Sequence, residues 1–119
     1  MLLTTITLVS GLVAFEPDRL VPLSDAEATL GYCASGFIAL ASDETSVRLH
    51  MVGTVTDLAM LVVNRLREET TDDERAGRIL LYGRQFFARE GQLNDFINNG
   101  AEDCANIANK IRMEEAHRG

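Results

Sequence analysis

Two kinds of apolar pattern divide this chain into predicted strands and predicted helices. Residues 2–15 are rich in β-branched side chains, which is typical of a strand, and residues 20–23 resume this pattern after turn-forming residues at 16–18. We therefore predict an N-terminal antiparallel β-hairpin. Apolar and polar residues also alternate over residues 47–51, and this alternation predicts one further short strand.

Four later stretches repeat apolar residues at steps of three and four, as amphipathic helices do. The first predicted helix begins at Ser24, because Ser24 and Glu27 have the spacing of a capping box, and it ends near residues 43–46. The other three helices are predicted over residues 57–69, 72–90 and 93–113.

The boundary signals around the third helix predict how the last two helices are connected. Thr71 and Glu74 have capping-box spacing at its start, and Gly91 is a natural C-cap at its end. Because the last helix follows Gly91 directly, we expect the two helices to form a C-terminal hairpin. The predicted fold class is thus α+β and mainly helical, with the N-terminal β-hairpin, the short strand and long helices in a single domain of residues 1–119.

The last predicted helix has the clearest amphipathic pattern. Its apolar stripe consists of Leu93, Phe96, Ile97, Gly100, Cys104, Ile107, Ala108 and Ile111. Asparagines lie beside this stripe at positions 94, 98, 99, 106 and 109. Amide groups both donate and accept hydrogen bonds without titrating, so they suit binding better than proton transfer.

Composition and charge limit the kinds of partner that the protein can bind and indicate the compartment in which it acts. The chain has 119 residues, 46% of them hydrophobic, and a net charge of −7, which opposes general attraction to nucleic-acid backbones or anionic lipid surfaces. Cys33 and Cys104 have no metal-ligand spacing and are predicted to be buried, reduced thiols. The apolar opening lacks the positive charge of a signal peptide and is too short to span a bilayer. We therefore expect a cytoplasmic protein, within a bacterium or delivered into the host cytoplasm by a phage.

No motif in the sequence supplies the minimum parts of an enzyme. The chain has no phosphate-binding glycine loop, serine elbow or zinc-binding helix. His50 and His117 have no nucleophile or metal ligand beside them in the sequence. We expect a protein that is not an enzyme and that uses no cofactor or metal.

A binding function is better supported, because aromatic, amide and guanidinium side chains recur on the last three helices. An aromatic ring can stack on a base, an amide can read the base edge, and an Arg can hold a phosphate. The candidate ligand-binding residues are Arg65, Arg84, Phe86, Phe87, Asn94, Asn98 and Arg112. The alternative is that both Phe side chains belong to the core and that the polar ones only solvate helix faces.

Three segments together resemble a phage protein family. They are SGLVAFEPDRLVPLSDAEA, VGTVTDLAMLVVNRLREE and ERAGRILLYG, and their arrangement looks like that of the Thoeris anti-defence proteins, which sequester cyclic ADP-ribose signals. The resemblance implies a non-enzymatic protein that forms dimers or larger rings and holds its ligand between subunits. By residue type, it implies Phe86 or Phe87 and Asn94 or Asn98 at the base, and Arg65 or Arg112 at the phosphates.

The leading hypothesis from the sequence is a homo-oligomeric protein that sequesters a small cyclic nucleotide without altering it. One alternative is an acidic inhibitor directed at a host defence protein, as in some anti-CRISPR proteins, whose negative surface competes for a nucleic-acid-binding groove. Another is a structural subunit of an oligomer that binds no ligand.

Overall fold

The described part of the chain consists of three separate helices and a fourth, composite helix. The computed structural model describes residues 23–42 and 49–118, with the side chains of residues 49–53 and 118 excepted. The helices are α1 (Asp25–Ser42), α2 (Leu49–Thr70), α3 (Asp73–Phe87), α4 (Gln92–Asp95) and α5 (Ala101–Arg118). A π-helical turn, Phe96–Gly100, joins α4 to α5 without a break, and we call the continuous helix of residues 92–118 the rod.

The predicted α+β class is wrong for the described residues, which contain helices and no strand. The predicted β-hairpin over residues 2–23 lies almost wholly outside them. The predicted strand over residues 47–51 is contradicted from Leu49 onward, where α2 begins. Alternation over five residues cannot distinguish a short strand from the first turn of a longer helix.

Helix α1 lies at the centre of the described structure. Every residue from 29 to 37 is buried, so that this stretch contacts neighbours on all sides of the helix. Small residues permit such close packing: a Cβ atom at Gly36 would overlap the ring of Phe96 on the rod. The resulting core contains a group of contacting rings, which we call the aromatic cluster: Tyr32, Phe37, Phe86, Phe87 and Phe96.

The rod packs mainly on α2 and α1 rather than along α3. The predicted C-terminal helical hairpin is therefore wrong, although the third and last helices do follow one another closely in the chain. Gly91 does not cap α3, whose C-cap is Ala88; it precedes α4 with a φ of +85°, a left-handed conformation that favours glycine. That turn directs the rod away from α3. The apolar stripe of the rod is confirmed, because every member of it is buried or half-buried.

Helix capping agrees with the sequence at one position and differs at another. The predicted capping box of α1 is confirmed: the Ser24 backbone N–H donates to Glu27 Oε1 at 3.0 Å, and the Glu27 N–H donates to Ser24 Oγ at 3.1 Å. At α3 the cap is Asp72 rather than Thr71, because Asp72 Oδ1 accepts hydrogen bonds from the backbone N–H groups of Glu74 and Arg75.

The two cysteines are joined, and the prediction of reduced thiols is wrong. Cys33 on α1 and Cys104 on α5 form a disulfide with a Cα–Cα distance of 5.3 Å. Their separation of 71 residues gives no hint of this contact in the sequence. The bond ties the central helix to the rod within the core, where the two cysteines are only 1% and 2% exposed.

Candidate functional site

The aromatic residues proposed to stack on a ligand belong to the core. Phe86 is fully buried and Phe87 is 6% exposed. The centres of these two rings are 5.1 Å apart, and the Phe87 ring lies 5.4 Å from Tyr32 and 5.5 Å from Phe96. Other rings therefore cover both side chains, and the Arg89 guanidinium also lies over the Phe86 ring, 5.4 Å from its centre, so that a base could stack on them only if the core opened.

The three candidate arginines do not converge on one place. Arg65 is buried on α2, with Nη1 2.8 Å from Glu114 Oε1 and Nε 3.7 Å from Glu68 Oε2. Arg84 is exposed on α3, and Arg112 is exposed on α5, where its Nη1 donates to Asn109 Oδ1 at 3.5 Å.

Asn94 and Asn98, the two candidate amides, are exposed near the N-terminal end of the rod. Arg112 lies on the same helix but on the order of 20 Å further along the axis than Asn98, because a helix rises about 1.5 Å per residue. The described residues therefore do not bring the predicted rings, amides and guanidinium groups together.

The structure instead places the asparagines in an exposed polar strip along the rod. We call this strip the amide face, and it consists of Asn94, Asn98, Glu102 and Asn106, flanked by Asp95, Asn99 and Asp103. All members are exposed except the two Asp residues, which are half-buried. The Asn99 side chain donates to Asp95 Oδ1 at 2.8 Å, which fixes one edge of the face.

The π-helical turn is what keeps these residues in line. In a regular α-helix, residues four apart drift around the axis, because one turn takes 3.6 residues. The turn Phe96–Gly100 accommodates an extra residue, so the four-residue steps from Asn94 to Asn98 and from Asn98 to Glu102 remain on one side of the rod. Phe96 and Gly100 at the ends of the turn are buried, which anchors the distortion in the core.

The amide face lowers the helical stability of the rod rather than raising it. Asn is a poor helix former, and each exposed Asn within a helix costs roughly 0.5 kcal/mol relative to Ala. Asn98 and Asn106 lie within the rod and are exposed. A surface that served only to solvate the helix would be better formed by Glu, Lys or Gln. Helix propensity therefore does not account for these amides.

The electrostatic character of the amide face is acidic. The segment from Gln92 to Ala105 contains Asp95, Glu102 and Asp103 and no basic residue. Beneath the face, burial and the nearby Asp95 carboxylate raise the pKa of Tyr32, so its phenol stays protonated at neutral pH.

This arrangement can form hydrogen bonds and attract positive charge. No group of His, Cys, Asp or Glu among the described residues is placed to hold a metal ion. Likewise, no described helix is long and apolar enough to cross a membrane.

The chain matches no known protein family, no curated protein and no solved structure. The resemblance to the Thoeris anti-defence proteins drawn from the sequence gains no support from these comparisons and stays a prediction.

Sequence reasoning noted the asparagines of the amide face at positions 94, 98, 99 and 106, proposed only Asn94 and Asn98 as binding residues, and missed the acidic residues among them. The signal for the rest was present, because Asn106 and Glu102 continue the same four-residue spacing. That spacing is not expected to stay aligned over several turns of a regular α-helix, and the sequence analysis did not predict the π-helical turn that aligns it.

Proposed function

We propose that this chain is a non-enzymatic protein that binds a basic surface of another protein through the amide face. The observation that carries the proposal is the exposed strip of Asn and acidic side chains, maintained at a cost in helix propensity. Amides pair with backbone and side-chain polar groups of a partner, and the carboxylates attract its cations. The proposal corresponds to the acidic, protein-directed alternative drawn from the sequence.

The charge of the face favours a cationic protein over a nucleotide. The amides that would have to bind a nucleotide lie beside three carboxylates, those of Asp95, Glu102 and Asp103. These carboxylates would repel the phosphates of the nucleotide. The rings proposed for base stacking are packed against one another in the aromatic cluster. The hypothesis of nucleotide sequestration thus gains no support from the described residues. Two copies of the face would also bring like charges together, so we propose a cationic protein as its partner in preference to a second copy of this chain.

The disulfide supports an oxidising compartment as the place of action, in contrast to the cytoplasm expected from the sequence. Protein disulfides persist outside reducing cytosols and are rare within them. Cys33 and Cys104 are both buried in the core, so that the bond belongs to the folded structure rather than to an exposed reactive site.

The proposal is tested with a double variant of the face, Asn98→Ala with Asn106→Ala. Its matched control is Asn64→Ala, because Asn64 is also an exposed helical Asn but lies on α2. The wild type, the double variant and the control are immobilised and exposed to extracts of the source cells. Captured proteins are quantified by mass spectrometry at low and moderate salt, and thermal unfolding of each variant is followed by circular dichroism.

We expect one basic protein to be captured by the wild type and the control, to be lost with the double variant, and to be released by moderate salt. The double variant should at the same time be more stable than the wild type by about 1 kcal/mol. Equal capture by all three proteins would refute the proposal. A nucleotide retained by the native protein in mass spectrometry would favour the sequestration hypothesis instead.

A further inference from the structure

The position of the disulfide limits when it can form. Cys33 and Cys104 are 1% and 2% exposed, and each lies within a helix of the packed core. Tyr32, next to Cys33, contacts the rings of Phe87 and Phe96. Burial to this degree closes the direct path from solvent to either cysteine in the folded protein.

Disulfide formation by thiol exchange needs such a path. The thiolate of one cysteine attacks a sulfur of an external disulfide, which gives a mixed disulfide and releases one thiolate of the reagent. The second cysteine thiolate then attacks the protein sulfur of that mixed disulfide and releases the second reagent thiolate. The two cysteines lose two electrons and two protons in total, and the external disulfide gains the two electrons to become two thiols.

The sequence positions of the cysteines argue against a catalytic role for the pair. They are 71 residues apart and do not form the Cys-X-X-Cys motif of thiol–disulfide oxidoreductases. The chain is therefore the substrate of the exchange and not its catalyst.

We propose that Cys33 and Cys104 are oxidised by an external disulfide before the core closes, so that this chain is a substrate for oxidative folding. The external disulfide is a protein or small-molecule disulfide of the compartment in which the chain folds. The mixed disulfide forms on the open chain, and closing the core then buries the new bond. This inference does not depend on the binding partner proposed above.

The experiment measures when the bond can form, with glutathione disulfide as the oxidant. The chain is reduced in denaturant and then diluted into native buffer in two arms. In one arm the oxidant is present at dilution, and in the other it is added after circular dichroism has reached a plateau. Samples are quenched in denaturant, which exposes the buried cysteines, with a maleimide that adds mass to free thiols. Cys33→Ser is the control, because it has no second cysteine with which to complete the intramolecular bond.

Two results would support the proposal. The reduced chain folds without oxidant, and the bond then forms about tenfold or more slowly when the oxidant is added late. Alternatively, the reduced chain stays unfolded until the oxidant is added. Two other results would overturn it: the reduced chain folds and both arms oxidise at the same rate, or the protein thiols remain free in both arms.

Discussion

Removing the Cys33–Cys104 bond should cost this protein much of its stability. The bond closes a loop between residues 71 apart in the sequence. A cross-link over a loop of that length lowers the entropy of the unfolded chain by an amount worth about 4 kcal/mol at room temperature. Small domains are stable by only about 5–15 kcal/mol, so the loss is a large share of the total.

The change is best tested in two independent ways. The double variant Cys33→Ala with Cys104→Ala removes the bond together with both sulfur atoms, whereas reduction of the wild type removes only the bond. Urea unfolding followed by circular dichroism gives the free energy of unfolding for the oxidised wild type, the reduced wild type and the double variant.

We expect the reduced wild type and the double variant each to lose about 4 kcal/mol, with the variant somewhat lower because it also loses packing atoms in the core. A loss below about 1 kcal/mol in the reduced wild type would refute the entropic reasoning. It would mean that the unfolded chain already holds α1 and the rod close together.

Two further perturbations test the packing and the electrostatics. Gly36→Ala should destabilise the protein by about 1–3 kcal/mol, because the new methyl group overlaps the buried Phe96 ring. Gly77→Ala, at an exposed position of α3 with open space around it, should instead stabilise the protein by about 0.5–1 kcal/mol. Chemical unfolding of both variants measures these changes, and equal effects would contradict the packing of Phe96 against Gly36. The hydrogen bonds from the Arg75 guanidinium hold the pKa of Glu27 below its usual value, so the stability from this pair is present above the unfolded pKa and is lost as pH falls through the lower folded pKa. Glu27→Gln should therefore show a shallower loss of stability than the wild type between about pH 5 and pH 3, and an unchanged pH profile would show that the pair contributes nothing.

The sequence predicts helices well where one face is apolar and the other polar. The rod is the best example, because its stripe from Leu93 to Ile111 is buried or half-buried as expected. The pattern is less informative for α1, whose residues 29–37 are all buried. A helix surrounded on every side has no polar face, and its periodicity therefore says nothing about which neighbour each residue contacts.

The pairing of Cys33 with Cys104 could not be predicted for the same reason. Each cysteine fits an apolar helical pattern, which indicates burial but not a partner. A disulfide requires two Cα atoms within about 7 Å, and that proximity depends on how the helices pack. Because the predicted hairpin paired the rod with α3 instead of α1 and α2, it did not bring the two cysteines together.

Burial also explains why only part of the candidate site could be predicted. An aromatic side chain near an amide suits a ligand site or a core boundary equally well, and only tertiary packing distinguishes the two. Phe86 and Phe87 contact other rings, while Asn94 and Asn98 remain exposed. Exposed polar residues that lower helix propensity are the more informative signal, because neither core packing nor helix formation accounts for them. By this criterion the amide face, rather than the aromatic cluster, is where recognition by this protein should be sought.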